Sequence, residues 1–246
     1  MKAMILAAGQ GTRLRPITDS RPKALVPVAG RPMIEYALRL LRHYGVGEII
    51  INLHHFGAQI EAWLGDGQRL GLRIVYSRET ELLDTGGGLL KAKPFLQDGS
   101  FIVINTDALI DLNLAEVIAF HQERKAAATL VLRPDENAER YGSMDVDEQG
   151  RICRFLKTRA PFAPAGATRT VMFTGVQVLE PAVFDFMNDA ARKFSTTRET
   201  YPKMLAAGAP LAGFCFSGFW QDLGTPERIR AAEAALASRR AALHYL

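Results

Sequence analysis

The chain has 246 residues, of which 48% are hydrophobic and 23% charged, and its 30 Lys and Arg against 26 Asp and Glu leave a formal net charge of +4. That length suits one large α/β domain and is short for two full ones, and the composition is that of a globular protein, not of a disordered or fibrous chain. No apolar run is long enough to span a bilayer, residues 1–8 are too few for the apolar core of a signal peptide, and no run of Lys and Arg marks a nucleic-acid patch, so the expectations are a cytoplasmic protein, small anionic partners, no membrane and no nucleic acid.

Residues 3–7 form a short apolar run ending in a glycine-rich loop, as a buried parallel strand does. Residues 32–43 carry Ile34, Leu38 and Leu41 with Arg39 and Arg42 between them, the spacing of an amphipathic helix. A β-branched strand is predicted over 48–52, a short helix over 59–64 stopped by Gly65-Asp66-Gly67, and a third strand over 72–76. A helix over 88–95, a strand over 101–105, a helix over 112–124 and a strand over 127–132 follow. Strands regularly separated by helices imply right-handed βαβ units and a mostly parallel sheet, whose ligands bind beyond the carboxyl ends of the strands. After Pro134 the pattern changes. Strands are predicted over 142–146, 151–155 and 171–179, a mobile loop rich in Pro, Ala and Gly over 162–168, and short helices over 181–188 and 200–207. A strand over 211–216 and a closing helix over 226–240, with Pro226 in its first turn, complete the chain. This part reads as a lobe that completes the domain, so residues 1–246 are expected to be a single domain.

Cys153 and Cys215 each lie in an apolar stretch with no CxxC partner and read as buried packing residues. His54-His55 has no third ligand at a useful spacing, and Trp63 and Trp220 read as core aromatics.

The segment Leu6-Ala7-Ala8-Gly9-Gln10-Gly11-Thr12-Arg13-Leu14-Arg15 leaves the first strand with two glycines and two arginines. Glycine lets backbone N–H groups approach phosphate oxygens, and a guanidinium grips phosphate in a bidentate way. Two better-known loops are excluded. The Gly-Lys-Ser/Thr end of a P-loop is absent, and Leu14 stands where the dinucleotide fingerprint needs its third glycine. Taken alone, the segment fits a tight turn with solvated arginines as well as it fits a phosphate cradle.

Arg21-Pro22-Lys23-Ala24-Leu25-Val26-Pro27 follows a few residues later. Together the two segments resemble the signature of the sugar-1-phosphate nucleotidyltransferases, a Gly-x-Gly-Thr-Arg-Leu loop followed by Pro-Lys-x-Leu-x-Pro, and the likeness extends along nearly the whole chain. The resemblance implies an α/β, Rossmann-like three-layer nucleotidyltransferase fold with a mostly parallel mixed central sheet and a small C-terminal sugar-binding lobe. On that reading 1–133 is the nucleotide-binding core, and 134–246 is the sugar-binding lobe with the closing helix.

The resemblance also implies roles. Leu6, Ala7, Ala8, Gly9, Gly11, Thr12 and Arg13 would hold the nucleotide, with Arg13 stabilising the leaving pyrophosphate and Lys23 on the reacting phosphates. Asn105-Thr106-Asp107 ends an apolar strand; Asn105 would line the nucleotide site, and Asp107 would hold Mg²⁺, a hard cation that takes oxygen ligands, beside the sugar phosphate. The family commonly has glycine where Thr106 stands. Trp220-Gln221-Asp222-Leu223-Gly224-Thr225-Pro226 resembles the family's Trp-x-Asp-x-Gly-Thr segment, with Asp222 as the second metal ligand and Thr225 capping the last helix. Asp111 is expected to cap the helix that follows it. Lys157 matches a strand-end lysine that binds the sugar phosphate, Leu156 replaces a frequent sugar-binding glutamate, and Thr174 and Gly175 match a small-residue strand at the sugar. Thr85, Gly86 and Gly87 belong to a glycine cluster, read as a turn between strand and helix, that lies over the base and ribose in the family. Asn52, at a strand end, is a further candidate for the base. The 82–88 segment looks most like the N-acetylmuramate 1-phosphate uridylyltransferase and the mannose or heptose 1-phosphate guanylyltransferase branches.

The implied reaction is Mg²⁺-dependent attack of a sugar-phosphate oxygen on the α-phosphorus of a nucleoside triphosphate, with Arg13, Lys23, Asp107 and Asp222 as the catalytic set. UTP with an amino-sugar 1-phosphate such as N-acetylmuramate 1-phosphate is the first expectation. GTP with mannose or heptose 1-phosphate is the second, and a homodimer stays open. Two readings of other classes remain. A glycosyltransferase usually carries Asp-x-Asp, where this chain has Asp107-Ala108-Leu109. A non-catalytic nucleotide-sugar sensor is opposed by the presence of all four catalytic candidates.

Overall fold

The computed structural model describes residues 1–135, 138, 143–187 and 192–246. Gly142 and Asn188, at the edges of a predicted strand and helix, lie outside the described residues. The strands are β1 (Lys2–Leu6), β2 (Pro27–Val28), β3 (Arg31–Pro32), β4 (Glu48–Leu53), β5 (Arg73–Arg78), β6 (Phe101–Asn105), β7 (Ala108–Ile110), β8 (Ala128–Arg133), β9 (Met144–Asp147), β10 (Ile152–Phe155), β11 (Thr158–Arg159), β12 (Thr168–Leu179), β13 (Leu211–Cys215) and β14 (Trp220–Asp222). The α-helices with described bounds are α1 (Met33–His43), α2 (Gly57–Leu64), α3 (Asp84–Lys91), α4 (Lys93–Leu96), α5 (Leu114–Arg124), α6 (Tyr201–Ala206) and α7 (Pro226–Ala237). The chain forms two compact units that interleave along the sequence: Met1–Leu82, Ile104–Leu112 and Gly218–Leu246 make the first, and Leu83–Val103 with Asn113–Ser217 the second.

In the first unit β1, β4 and β5 are parallel, with Leu6 opposite Asn52 and Asn52 opposite Ser77. Their centres are apolar runs such as Ile49-Ile50-Ile51, all buried, as strands covered on both faces require. Helix α1 buries Met33, Ile34, Ala37, Leu38 and Leu41, a stripe at helical period. Strands β7 and β14 form a separate antiparallel ribbon, with Asp222 opposite Ala108. Helix α7 starts as expected: the Thr225 hydroxyl accepts from the Arg228 N–H, and Pro226 fills the first turn. Asp111 does not cap α5. Asn113 does, accepting from the N–H groups of Ala115 and Glu116, while Asp111 accepts from the backbone N–H of His244 and lies 2.5 Å from its Nδ1.

In the second unit the long strand β12 serves two ladders. Its first residues pair with β9 and its last with β8, both antiparallel, and β8 pairs in parallel with β13. Strands β9, β10 and β11 continue as an antiparallel meander. The sheet is therefore mixed, and its antiparallel share sits in the second unit. Gly86, Gly87 and Gly88 lie inside α3 and not in a turn before it. The predicted helix over 181–188 is a 3₁₀ helix, Pro181–Phe186. Cys153 is buried but Cys215 only half-buried. Trp63 and Trp220 are half-buried too, so they are not core aromatics; Trp63 carries the Arg69 guanidinium 4.8 Å above its ring.

Of the predicted loop over 162–168, residues 162–167 are irregular and Thr168 opens β12; the loop is nevertheless fastened. Buried Asp147 accepts from the N–H groups of Gln149 and Arg151 through Oδ1, and from Ala165 N–H and Arg151 Nε through Oδ2. Arg151 also donates to the Ala163 carbonyl and lies 4.7 Å over the Phe162 ring. Burial pushes the Asp147 carboxyl up, but the Ala165 and Arg151 N–H groups and the Arg151 guanidinium outweigh it and hold the pKa below its ordinary value. A depressed folded-state pKa contributes stability that is present above the unfolded value of about 4 and is lost as the pH falls through the folded one. Asp147→Asn, which forfeits acceptors on Oδ2, should therefore lower stability at pH 7 by roughly 1–3 kcal/mol in urea titrations. The difference from the parent protein should shrink as the pH is taken down through the depressed pKa of the folded-state carboxyl.

Candidate active site

The glycine loop begins where β1 ends. Ala7 and Ala8 are buried, and Gly9 and Gln10 are exposed. Gly11 has φ +64°, and a Cβ on it would stand 2.9 Å from Thr18 Cγ2 and 3.0 Å from Lys23 Cβ. Glycine is thus required twice at this position, for the left-handed backbone and for the close approach of the Lys23 stem. The Gly11 carbonyl accepts from Leu14 N–H at 2.8 Å and from the Thr18 hydroxyl at 2.9 Å, which closes the loop into the short 3₁₀ turn Thr12–Leu14. Among the described residues, none accepts a hydrogen bond from the backbone N–H groups of Gly9, Gln10, Gly11, Thr12 or Arg13. Successive unpaired backbone donors around a left-handed residue have the chemistry to receive anionic oxygens.

Asn52 is turned inward. It is buried; its Oδ1 accepts from Ala7 N–H at 2.8 Å and its Nδ2 donates to buried Glu79 Oε1 at 2.8 Å. Both ends of the amide are thus engaged, one of them in holding the start of the glycine loop, as a buried amide requires. Thr106 also braces this region. Its hydroxyl donates to the Leu6 carbonyl at 2.9 Å and so ties the turn after β6 to the end of β1. Asn105, the last residue of β6, is half-buried.

That turn delivers Asp107. Lys23 starts a 3₁₀ turn after the extended Pro22, and its ammonium is paired with Asp107 Oδ2. The Asp107 carbonyl accepts from Leu223 N–H at 2.9 Å, which joins it to the β7–β14 ribbon and hence to Asp222. Asp222 accepts from Gly224 N–H through Oδ1 and from Arg228 Nη1 through Oδ2, both at 2.5 Å. A Cβ on Gly224 would stand 2.6 Å from Asp222 Oδ1 and 2.7 Å from Arg13 Nη2, so the Arg13 guanidinium lies over Gly224 beside the carboxylate. Arg13 is exposed and has no ion pair among the described residues. Arg15 is paired with Asp19 at 3.2 Å, at the surface. The first unit therefore brings the loop, Arg13, Lys23, Asp107 and Asp222 near one another.

Both acids supply only carboxylate oxygen, the donor type a divalent cation such as Mg²⁺ takes with its remaining positions filled by water or phosphate. Each now has a cation of the chain itself on one oxygen, Lys23 on Asp107 and Arg228 on Asp222. The pair fits a hard cation, provided these side chains give way or share. Among the described residues no group of three or more His, Cys, Asp and Glu is arranged for a metal.

The second unit carries Thr85, Gly86, Gly87, Lys157, Thr174 and Gly175. Gly86 and Gly87 are packing glycines: added Cβ atoms would meet the Phe194 ring at 2.3 Å and the Arg192 carbonyl at 2.6 Å. Thr85 receives the Thr196 N–H on its hydroxyl at 3.0 Å. Gly175, with φ +90°, lies where the β12–β8 register shifts between Phe173 and Gln177, and the buried Thr174 hydroxyl donates to the Val131 carbonyl at 2.8 Å across that irregularity. Lys157 is not at a strand end but in the two-residue turn between β10 and β11, exposed and without an ion pair among the described residues.

The pattern did not reveal Glu79, Thr18 or Arg228. Arg228 had a usable signal, since it stands three residues after the capping Thr225 and so in the same helical turn. Glu79 and Thr18 had none, because their partners Asn52 and Gly11 are distant in sequence or bound through backbone.

The α/β fold agrees with that of known proteins. The family described as nucleotidyl transferase matches residues 2–239, and the chain belongs to that family. Among its relatives, a UTP–glucose-1-phosphate uridylyltransferase of Synechocystis sp. is 36% identical over 237 residues, covering 91% of this chain and 60% of that protein. A mannose-1-phosphate guanylyltransferase of Mycobacterium tuberculosis is 35% identical over 227 residues, covering 92% of this chain and 61% of that protein. The chain thus spans about 60% of the length of these curated relatives. A crystal structure from Bacillus anthracis, described as a glucose-1-phosphate thymidylyltransferase in complex with sucrose, superposes with a TM-score of 0.82 at 26% identity and covers 95% of this chain and 94% of its own. The fold is that of the α/β nucleotidyltransferases, with a mixed central sheet flanked by helices. Among the described residues no helix is long and apolar enough to cross a membrane.

Gly11→Ala forces a left-handed alanine, worth roughly 1–2 kcal/mol, against the Thr18 methyl and the Lys23 stem. It should lower the melting temperature by several degrees, about 2–8 °C, and weaken nucleoside-triphosphate binding in calorimetry. Unchanged binding would show that the loop's shape is not what receives the nucleotide.

Proposed function

We propose that the chain transfers a nucleoside monophosphate from UTP or GTP to a hexose 1-phosphate, releasing pyrophosphate. The observation that carries this reading is the row of five unpaired N–H groups from Gly9 to Arg13, flanked by the unpaired Arg13 guanidinium and by Lys23. The names of the relatives, a uridylyltransferase and a guanylyltransferase of sugar 1-phosphates, support the same reaction and both bases. UTP with an amino-sugar 1-phosphate such as N-acetylmuramate 1-phosphate, and GTP with mannose or heptose 1-phosphate, remain the finer alternatives.

In this mechanism an oxygen of the sugar phosphate forms a bond to the α-phosphorus, and the bond from the α-phosphorus to the bridging oxygen breaks, so that pyrophosphate leaves. The attacking phosphate is already ionised, and no general base is required. The chain holds two anions together and stabilises charge that moves onto the leaving group. The Gly9–Arg13 N–H groups receive phosphate oxygens, and Arg13 neutralises the pyrophosphate. Lys23 exchanges its partner on Asp107 for phosphate, and Lys157 holds the sugar phosphate. Asp107 and Asp222 would hold Mg²⁺, which supplies further neutralisation of phosphate oxygens.

A pyrophosphate-release matrix of four nucleoside triphosphates against glucose, mannose, heptose and N-acetylmuramate 1-phosphates tests the proposal. Release is expected with UTP or GTP and at least one hexose 1-phosphate; silence in every well removes the enzyme reading. Asp107→Ala should reduce kcat by about 10²-fold or more, and near-parental turnover would take Asp107 out of the site. Lys157→Ala should raise the sugar-phosphate KM by roughly tenfold or more while leaving the triphosphate KM nearly unchanged.

A further inference from the structure

The Lys157 turn has an unusual backbone. Strands β10 and β11 are joined by only two residues, Leu156 and Lys157, with Phe155 opposite Thr158. Leu156 adopts φ +54°, a conformation that such turns normally give to glycine or asparagine. A branched side chain there must be held in place by its surroundings. Both backbone groups of Leu156 are held. Its N–H donates to the Ser143 carbonyl at 3.1 Å, and its carbonyl accepts from Arg154 Nη1 at 2.8 Å. Arg154 is itself fixed by a fork on Asp145, Nε to Oδ2 and Nη2 to Oδ1, both at 2.6 Å, and Asp145 also accepts from the Thr170 hydroxyl at 3.0 Å. The guanidinium holds the Asp145 carboxyl below its ordinary pKa, so the pair stays charged at neutral pH.

We propose that the Asp145–Arg154 fork is the positioning element of the sugar-phosphate subsite: by clamping the Leu156 carbonyl it holds the left-handed turn that presents the Lys157 ammonium to the phosphate. This rests on the role proposed for Lys157. The bidentate geometry is what lets Arg154 brace one acid and one carbonyl at once, and a lysine at that position has no planar fork to do so. Arg154 touches no substrate in this scheme; it acts through Lys157.

The test is steady-state pyrophosphate release with glucose or mannose 1-phosphate, whichever turns over, with each substrate varied in turn. Arg154→Lys and Asp145→Asn should each raise the sugar-phosphate KM about tenfold and leave the triphosphate KM and the far-ultraviolet dichroism unchanged. Leu156→Gly placed in the Arg154→Lys protein should recover part of that loss, because glycine takes the left-handed conformation without a clamp. Arg154→Lys should add nothing in a Lys157→Ala background. An equal rise in both KM values, no recovery by Leu156→Gly, or independent multiplication with Lys157→Ala overturns the positioning role. If Lys157→Ala alone leaves the sugar-phosphate KM unchanged, the proposed role of Lys157 fails and this inference falls with it. If Lys157→Ala acts and Arg154→Lys does not, only the inference falls.

Discussion

The first unit is organised around the contact of Lys23 with two things at once, the bare Cα of Gly11 along its stem and the carboxylate of Asp107 at its tip. A side chain on residue 11 would displace the stem, and loss of the acid would leave a half-buried ammonium without its partner. The contact joins three distant pieces of chain: the loop after β1, the 3₁₀ turn after Pro22 and the turn after β6. It also sets the electrostatics. Asp107 and Asp222 are each compensated by a cation of the chain, whereas Arg13 and the loop N–H groups are not. The uncompensated groups among these are therefore donors and a cation, the chemistry that an anion takes.

That contact has its own supports. Asn52 and Glu79 brace Ala7 from beneath, and Thr106 braces Leu6 from the adjoining turn. Asn52 and Thr106 place polar side chains on the backbone where β1 ends, at the Ala7 N–H and the Leu6 carbonyl, and Glu79 in turn fixes the Asn52 amide. The threonine at 106 departs from the glycine expected by resemblance, and the structure gives it this bracing hydroxyl. Thr174 does the same in the second unit, where β12 breaks register around Gly175.

Regular elements were legible because period and composition report burial directly. The triple isoleucine of β4 and the stripe of α1 admit one reading each. The departures share a different cause. Gly86 and Gly87 look like a flexible turn, but their missing side chains make room for Phe194 and the Arg192 carbonyl, partners about a hundred residues away that no local pattern announces. Asp111 looks like a helix cap until His244, near the far end of the chain, occupies it. The loop over 162–168 looks unstructured because its anchor, Asp147, stands in a strand before it.

By itself the sequence determined the α/β class, the order of most elements, and the motifs that carry Arg13, Lys23, Asp107 and Asp222, because each of these is written in local spacing or short motifs. Only the tertiary structure decided which polar residues brace the backbone and which are left without a partner of the chain. Asn52 proved to be bonded to Ala7 and Glu79 and Arg15 to be paired with Asp19, and Arg228 and the Asp145–Arg154 fork entered the picture. The reason is physical: a polar side chain's role depends on whether a buried group elsewhere needs its hydrogen bond, and that demand arises only once distant segments have packed together.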